Sequence, residues 1–504
     1  MRRFLLLFCF LLSLGLVAPW LADRRAPPGP VIAVRAAVSI DPLQASRFDE
    51  LRLLDALFDP LVRIDPVSGR PERALASAWS VSADGLSWRF TLDPAARWSD
   101  GSLVTAAQAA AGLRRHQGGR SALSGLIGAV TTIEVAGADL VLTLAQPQPW
   151  LPAVLALPVF APEHPANQRW HDPRRVVGNG PMVMTAHAPR DHEDLAPSPT
   201  YAGPARAVGA VRLQVIESAD AAVRLYLDGQ IDAITALPPD AAGDLRRHAV
   251  PGLVSSPSLG TELYRIRCVP GPAPDPAADV RVRRALALAC DRTTAVTDLL
   301  GGLGDPADGL VPPSLWATVG CAPPKPITGD PQELLAAAER DLGPRATWRP
   351  FELWIPSNAV ERLRVAEHLA DAWARTLGVR VVVRTATAIE VRSREQRRDF
   401  DLCRGSLTAD YLDPLTFLAC FATGDGYNRT GWSDPAYDSL IAAIRVGGPE
   451  RNALLTAAAE RLAHEAPCIP LWHYRSTMLI RPGLSGLAPN PLEQVRYWAV
   501  AAGR

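Results

Sequence analysis

Phe351-Glu352-Leu353-Trp354-Ile355 and Val379-Arg380-Val381-Val382-Val383 are two short apolar runs rich in β-branched and aromatic residues, and both read as strands. Between them Leu363, Ala366, Ala370, Trp373 and Leu377 recur at helical spacing on one stripe, and Gly378 supplies a left-handed stop. Strand, helix, strand in that order predicts a parallel β-α-β unit, continued by a third run at 400–403. The same alternation recurs upstream. Residues 211–217 read as a strand, Ser218 caps a helix that stops at Gly229, and 231–235 read as a further strand. Leu86, Trp88, Phe90 and Leu92 alternate on one face of another strand, entered through Ala83-Asp84-Gly85, and Thr105 with Gln108 forms a capping box that opens a helix through about Arg115. Helical segments at 280–290 and 449–465 complete an α/β chain with no internal repeat.

At 504 residues the chain exceeds what one hydrophobic core supports, so two or three domains are expected. The 52 basic residues balance the 52 acidic ones, which excludes the basic surface a nucleic-acid binder needs. Met1-Arg2-Arg3 followed by an apolar run from Phe4 to Leu21 reads as an export signal over residues 1–22, either cleaved or kept as an anchor. With Cys9 inside it, six cysteines remain, enough for fifteen pairings, and none forms C-x-x-C.

Catalytic patterns are missing: there is no G-x-S-x-G, H-E-x-x-H or P-loop. Gly301-Gly302-Leu303-Gly304 follows a helical segment and reads as a loop. His187, Asp191, His192, Glu193 and Asp194 could chelate a metal, but the surrounding prolines favour a solvated acidic loop. The arginines at 392, 394, 397 and 398 read as one wet helix face.

Several motifs, in order along the chain, resemble the extracytoplasmic solute-binding proteins of the peptide/nickel class (family 5) that serve ABC importers. They include Leu57-Phe58-Asp59-Pro60-Leu61-Val62, Arg73 through Trp79, and Asp84-Gly85-Leu86-Ser87-Trp88-Arg89-Phe90. Further on come Gly178-Asn179-Gly180-Pro181, Leu227 through Asp232, and Asp279 through Leu286. Ala409-Asp410-Tyr411, Tyr427 through Trp432, Cys468 through Tyr474 and Asn490-Pro491-Leu492 resemble the oligopeptide-binding members in particular.

The resemblance implies a two-lobed α/β periplasmic-binding fold of type II with an extra subdomain and a hinged cleft. It divides the chain into a discontinuous lobe I (31–56, 179–267 and 482–504), a subdomain (57–178) and lobe II (268–481). It implies a binder of short peptides, not an enzyme, that works as a monomer in the periplasm with permease subunits as partners and with no cofactor or metal. Asp410 is implied to pair with the peptide's α-ammonium, Arg404 to face its far end, and Gln44, Ala45 and Ser46 to pair with its backbone. Tyr411 is a candidate pocket residue, as is Leu407, which stands where oligopeptide binders often place tryptophan. Met182 replaces the usual tyrosine after Gly178-Asn179-Gly180-Pro181. The alternatives are a metal-chelate, haem or other non-peptide binder on the same fold, or an exported peptide hydrolase. A chaperone-like role toward unfolded segments is also compatible with these residues.

Overall fold

A computed structural model describes residues 29–502 except 67–68, 119–120, 122, 168–169, 171, 205–206, 270–274, 303 and 488–493. The export segment at 1–22 and the motif Asn490-Pro491-Leu492 therefore lie outside the described residues. Among those described, no helix is long and apolar enough to cross a membrane.

The β-α-β unit forms as its pattern dictates. Strand Phe351–Pro356 pairs in parallel with Val381–Ala386, and helix Val360–Leu377 joins them. The helix buries Val365, Ala366, Leu369, Ala370, Trp373 and Leu377, and Gly378 ends it with φ +66°. Two expected strand starts shift inward. Val379 and Phe400 are buried, but the strands begin at Val381 and Leu402. Apolar patterning reports burial, which extends past the hydrogen-bonded ladder.

These strands belong to one 11-stranded mixed sheet. Its order is Val381–Ala386, Phe351–Pro356, Leu402–Thr408, Leu253–Ile266, Cys468–Ile480, Ala233–Ile234, Val31–Val34, Val211–Val215, His192–Pro197, Met182–Ala188. Gly304–Pro306 lies beside Cys468–Ile480. The two long strands, of 14 and 13 residues, carry the ladder from one lobe into the other. Gly260–Ile266 pairs with Leu402–Thr408 on one side, whereas Leu479 and Ile480 pair with Ile234 and Ala233 on the other. Between Pro257 and Thr261 their mutual register slips. Proline has no N–H to give the ladder, and such irregularities bend a strand. At Gly260 a Cβ would stand 2.3 Å from Tyr474 Cδ2, so the crossing is close as well as irregular.

A separate four-stranded sheet, Ala76–Val81, Ser87–Leu92, Asp139–Leu144, Val130–Ala136, packs under helix Ala106–Gly118. Thr105 and Gln108 cap that helix reciprocally, as their spacing predicts. This sheet shares a continuous core with Val31–Val34 and Val211–Val215, through Phe58, Leu61, Trp98 and Leu151. The joint is Gly178-Asn179-Gly180. Asn179 accepts the N–H of Asp59 at 3.1 Å and donates to its carbonyl at 2.9 Å, and a Cβ on Gly180 would lie 2.5 Å from the Leu57–Phe58 backbone. The other lobe has cores on both faces of its sheet, one around Trp373 and Phe351, the other around Trp316, Phe417 and Tyr437. All six cysteines in the described residues are free thiols.

Candidate functional site

In α/β sheets a crevice opens beyond the carboxyl ends of parallel strands, where chain connections diverge to either side. Val31–Val34 lies between its parallel neighbours Val211–Val215 and Ala233–Ile234, and the connections leaving these three strands line a cavity of about 460 Å³. Arg35, Ser46, Arg47, Asp49, Arg52, Glu217 and Thr235 contribute its polar groups. A second cavity of about 280 Å³ adjoins it, sharing Ala236 and Leu237 and bringing in Arg362, Tyr474, Arg475 and Ser476 from across the sheet. Together they form a cleft between the lobes.

Strand Leu402–Thr408 joins the side of the cleft that carries Arg362 and Tyr474, because Arg404 shares Glu262 with both, and exposure alternates along it from Cys403 onward. Arg404 and Ser406 are half-buried and Thr408 is exposed, while Cys403, Gly405 and Leu407 are buried. Leu407 packs at 6% exposure in the core with Leu259, Leu263 and Phe417.

Arg404 does not offer a free guanidinium. Its Nε and Nη2 donate to the two carboxylate oxygens of Glu262 at 2.6 and 2.7 Å. Glu262 is wholly buried and also accepts from Tyr474 Oη and, at 3.3 Å, from Arg362 Nε. Burial pushes the Tyr474 hydroxyl up, reinforced by the Glu262 charge. A buried charge survives only when paired, and here one carboxylate is held by two arginines and a phenol. The sequence signal was available: Glu262 is the one acidic residue in the fully buried stretch of its strand, 258–266.

Asp410 follows the strand by two residues. Its N–H donates to Thr416 Oγ1 at 3.1 Å, and no cation pairs with its carboxylate among the described residues. The residue is exposed, yet enough protein surrounds the carboxyl for desolvation alone to raise its pKa. Its charge is the largest cause raising the Tyr427 hydroxyl. Tyr411 stacks on Trp150 with ring centroids 5.4 Å apart and planes 10° from parallel. Arg451 lies over the same indole and pairs with Asp413 at 2.8 Å. Tyr411 therefore belongs to a seam between the loop at Trp150 and the Asp410 loop.

Gln44, Ala45 and Ser46 form a turn before helix Phe48–Leu57. The N–H groups of Gln44 and Ala45 donate to the Asp41 carbonyl, and that of Ser46 donates to Glu50 Oε2 at 3.0 Å. Ala45 is buried, while Gln44 and Ser46 are exposed, so what the turn can offer an extended ligand is its carbonyls.

Other motif residues are structural. Arg283 is buried and donates to the carbonyls of Glu465 and Ala466, closing helix Arg451–Glu465. Asn428 donates to the carbonyls of Phe421 and Trp432. The His187 cluster is a β-hairpin, with His187 opposite Glu193 in register and no group of metal-ligand character among the described residues.

Comparison with known proteins agrees with this architecture. The family model "Bacterial extracellular solute-binding proteins, family 5 Middle" matches residues 70–429. The periplasmic murein peptide-binding protein MppA of Escherichia coli K12 is 30% identical over 492 residues, covering 91% of this chain and 90% of the relative. The periplasmic oligopeptide-binding protein OppA of the same organism is 26% identical, with 90% and 89% covered. The solved unliganded open form of MppA superposes with a TM-score of 0.82 at 26% identity, covering 95% of this chain and 98% of that one.

Proposed function

Because the chain belongs to the bacterial extracellular solute-binding proteins of family 5, we propose that it captures short peptides in the periplasm and delivers them to the membrane permease of an ABC importer. Relatives named for murein peptides and for oligopeptides span nearly the whole chain, and the two-lobed fold is theirs. The ligand is released unchanged, so no catalytic step is required of the protein.

The observation that carries the peptide reading is the carboxylate of Asp410, two residues past strand Leu402–Thr408, which pairs with no cation among the described residues. A peptide closed into the cleft loses water from its α-ammonium, which then needs a charge-assisted partner. Arg404, six residues earlier, lies no more than about 20 Å away along the chain, the length of a short extended peptide. The Glu262–Arg404–Arg362 group at that end carries one net positive charge and fronts the ligand's far end as a unit. Ser46 and its neighbours add backbone acceptors from the opposite lobe. Tyr411 supports Asp410 from behind through its stack on Trp150.

The lobes are 31–56 with 179–267 and 482–504, and 268–481, with 57–178 as a subdomain of the first. Residues 1–22 direct export, and whether they are removed is read directly from the mass of the mature protein.

Native mass spectrometry of the exported protein, followed by denaturation and identification of the released molecules, tests the reading. Short peptides that disappear in Asp410→Ala are expected. A single non-peptide species, or peptides retained by Asp410→Ala, would overturn the ligand or its anchor respectively.

A further inference from the structure

Most of the positive charge on the Arg404 side of the cleft is already matched. Arg404 is held by Glu262 through two hydrogen bonds, and Arg475 Nη1 meets both carboxylate oxygens of Asp305 at 2.9 Å. Arg362 shares Glu262 with Arg404. The opposite wall differs. Three guanidinia, Arg35, Arg47 and Arg52, line the 460 Å³ cavity against two carboxylates, Asp49 and Glu217. Arg52 is committed: it is 4% exposed, donates to Thr235 Oγ1 at 3.3 Å and stands 3.8 Å from Asp49. Glu217 Oε1 accepts the Ala36 N–H at 3.2 Å. Arg35 and Arg47 form no ion pair among the described residues, although Arg47 is half-buried and both lie close enough to Asp49 to act on its carboxyl. The cavity is therefore a partly enclosed basin with one net positive charge, whose Arg35 and Arg47 guanidinium groups hold no ion pair among the described residues, at the end of the sheet where α/β proteins place ligands.

We propose that this basin receives a carboxylate of the bound ligand on Arg35 and Arg47, so that the protein selects peptides carrying an anionic group within reach of lobe I. This rests on the peptide reading and adds its charge class. A guanidinium meets a carboxylate in a planar two-bond geometry, and the pair strengthens as closure excludes water. With the ammonium on Asp410 in one lobe and the carboxylate on Arg35 and Arg47 in the other, the ligand bridges the cleft. It then binds the closed arrangement more tightly than the open one, which is the condition for shifting the equilibrium. The carboxylate can come from an acidic side chain or from the peptide's own C-terminus.

Isothermal titration with alanine tripeptides distinguishes these sources. One arm places Glu or Gln at each position in turn, and the other compares a free C-terminal acid with its amide. At least one acid/neutral pair is expected to differ by about tenfold in Kd in the wild type, which is about 1.4 kcal/mol. Which arm shows it identifies the source. Arg35→Gln/Arg47→Gln should reduce that ratio to about one while leaving the neutral peptide's Kd unchanged. The single variants carry the test if the double variant loses its wild-type melting transition. Equal affinity for charged and neutral peptides in the wild type, or a preference that survives both substitutions, would sink the lobe I subsite alone. Failure of every tripeptide to bind would instead remove the peptide reading beneath it.

Discussion

Glu193 shows how one residue's surroundings set a property of the whole chain. It is 7% exposed in the hairpin Met182–Ala188/His192–Pro197, and desolvation lifts its pKa from 4.5 to about 7, opposed by the nearby His192. His187 Nδ1 stands 3.6 Å away, but burial lowers its pKa and leaves it a weak counter-charge, while Arg212 is already paired with Asp194 at 2.7 Å. The folded state thus holds a proton on Glu193 between pH 4.5 and about 7 that the unfolded chain releases. Stability falls as pH rises wherever the native state binds more protons, so this residue costs stability progressively across that window, by about 3 kcal/mol at most. Glu193→Gln should flatten that part of the stability–pH curve and raise unfolding stability at pH 8. Urea unfolding at pH 5 and pH 8 checks it: an unchanged difference between the two pH values in the variant would show that Glu193 is not the group responsible.

The elements show which parts of the sequence spoke for themselves. The β-α-β unit, the cap at Ser218, the Thr105–Gln108 box and the stop at Gly378 were legible because each depends on residues within a few positions of one another. The cleft was less so. Asp410 and Ser46 could be named by resemblance, but the partner that occupies Arg404 lies 142 residues away on a neighbouring strand. The unpaired Arg35 and Arg47 likewise mean something only once three strand ends are brought together. For Leu407 one residue of strand parity decides whether it shares a face with Arg404 or packs with Leu263 and Phe417, as it does. The glycines of Gly178-Asn179-Gly180 look like turn residues in sequence, yet neither has a positive φ. Their role is close approach. Gly180→Ala sets a Cβ against the Leu57–Phe58 backbone, which cannot rotate away as a side chain would. We expect a loss of about 1–3 kcal/mol in unfolding stability, as for overpacking in a core, with the hydrogen bonds of Asn179 to Asp59 weakened in consequence. Wild-type stability for this variant would mean that the two segments can separate freely.

At the scale of the molecule, the two long strands must let the lobes move without breaking the sheet that joins them. Their register slips between Pro257 and Thr261, leaving a short interval without regular pairing, while the ladder continues on either side of it. The loop at Trp150 also touches the Asp410 loop through Tyr411, so any rotation has to accommodate that stack as well as the strands. The arrangement superposes well on an unliganded open relative, and it leaves adjoining cavities of about 460 and 280 Å³ facing solvent between the lobes. A ligand that contacts both walls gains contacts only when they approach, so binding and closure are one equilibrium. A peptide present at a hundredfold its Kd should therefore add about 2.7 kcal/mol to unfolding stability and reduce the radius of gyration in small-angle scattering. If Asp410 anchors the peptide as proposed, both effects should vanish together in Asp410→Ala. Stabilisation without compaction would mean that peptide binds to one lobe alone, and the strand crossing at Pro257–Thr261 would then be a fixed bend and not a pivot.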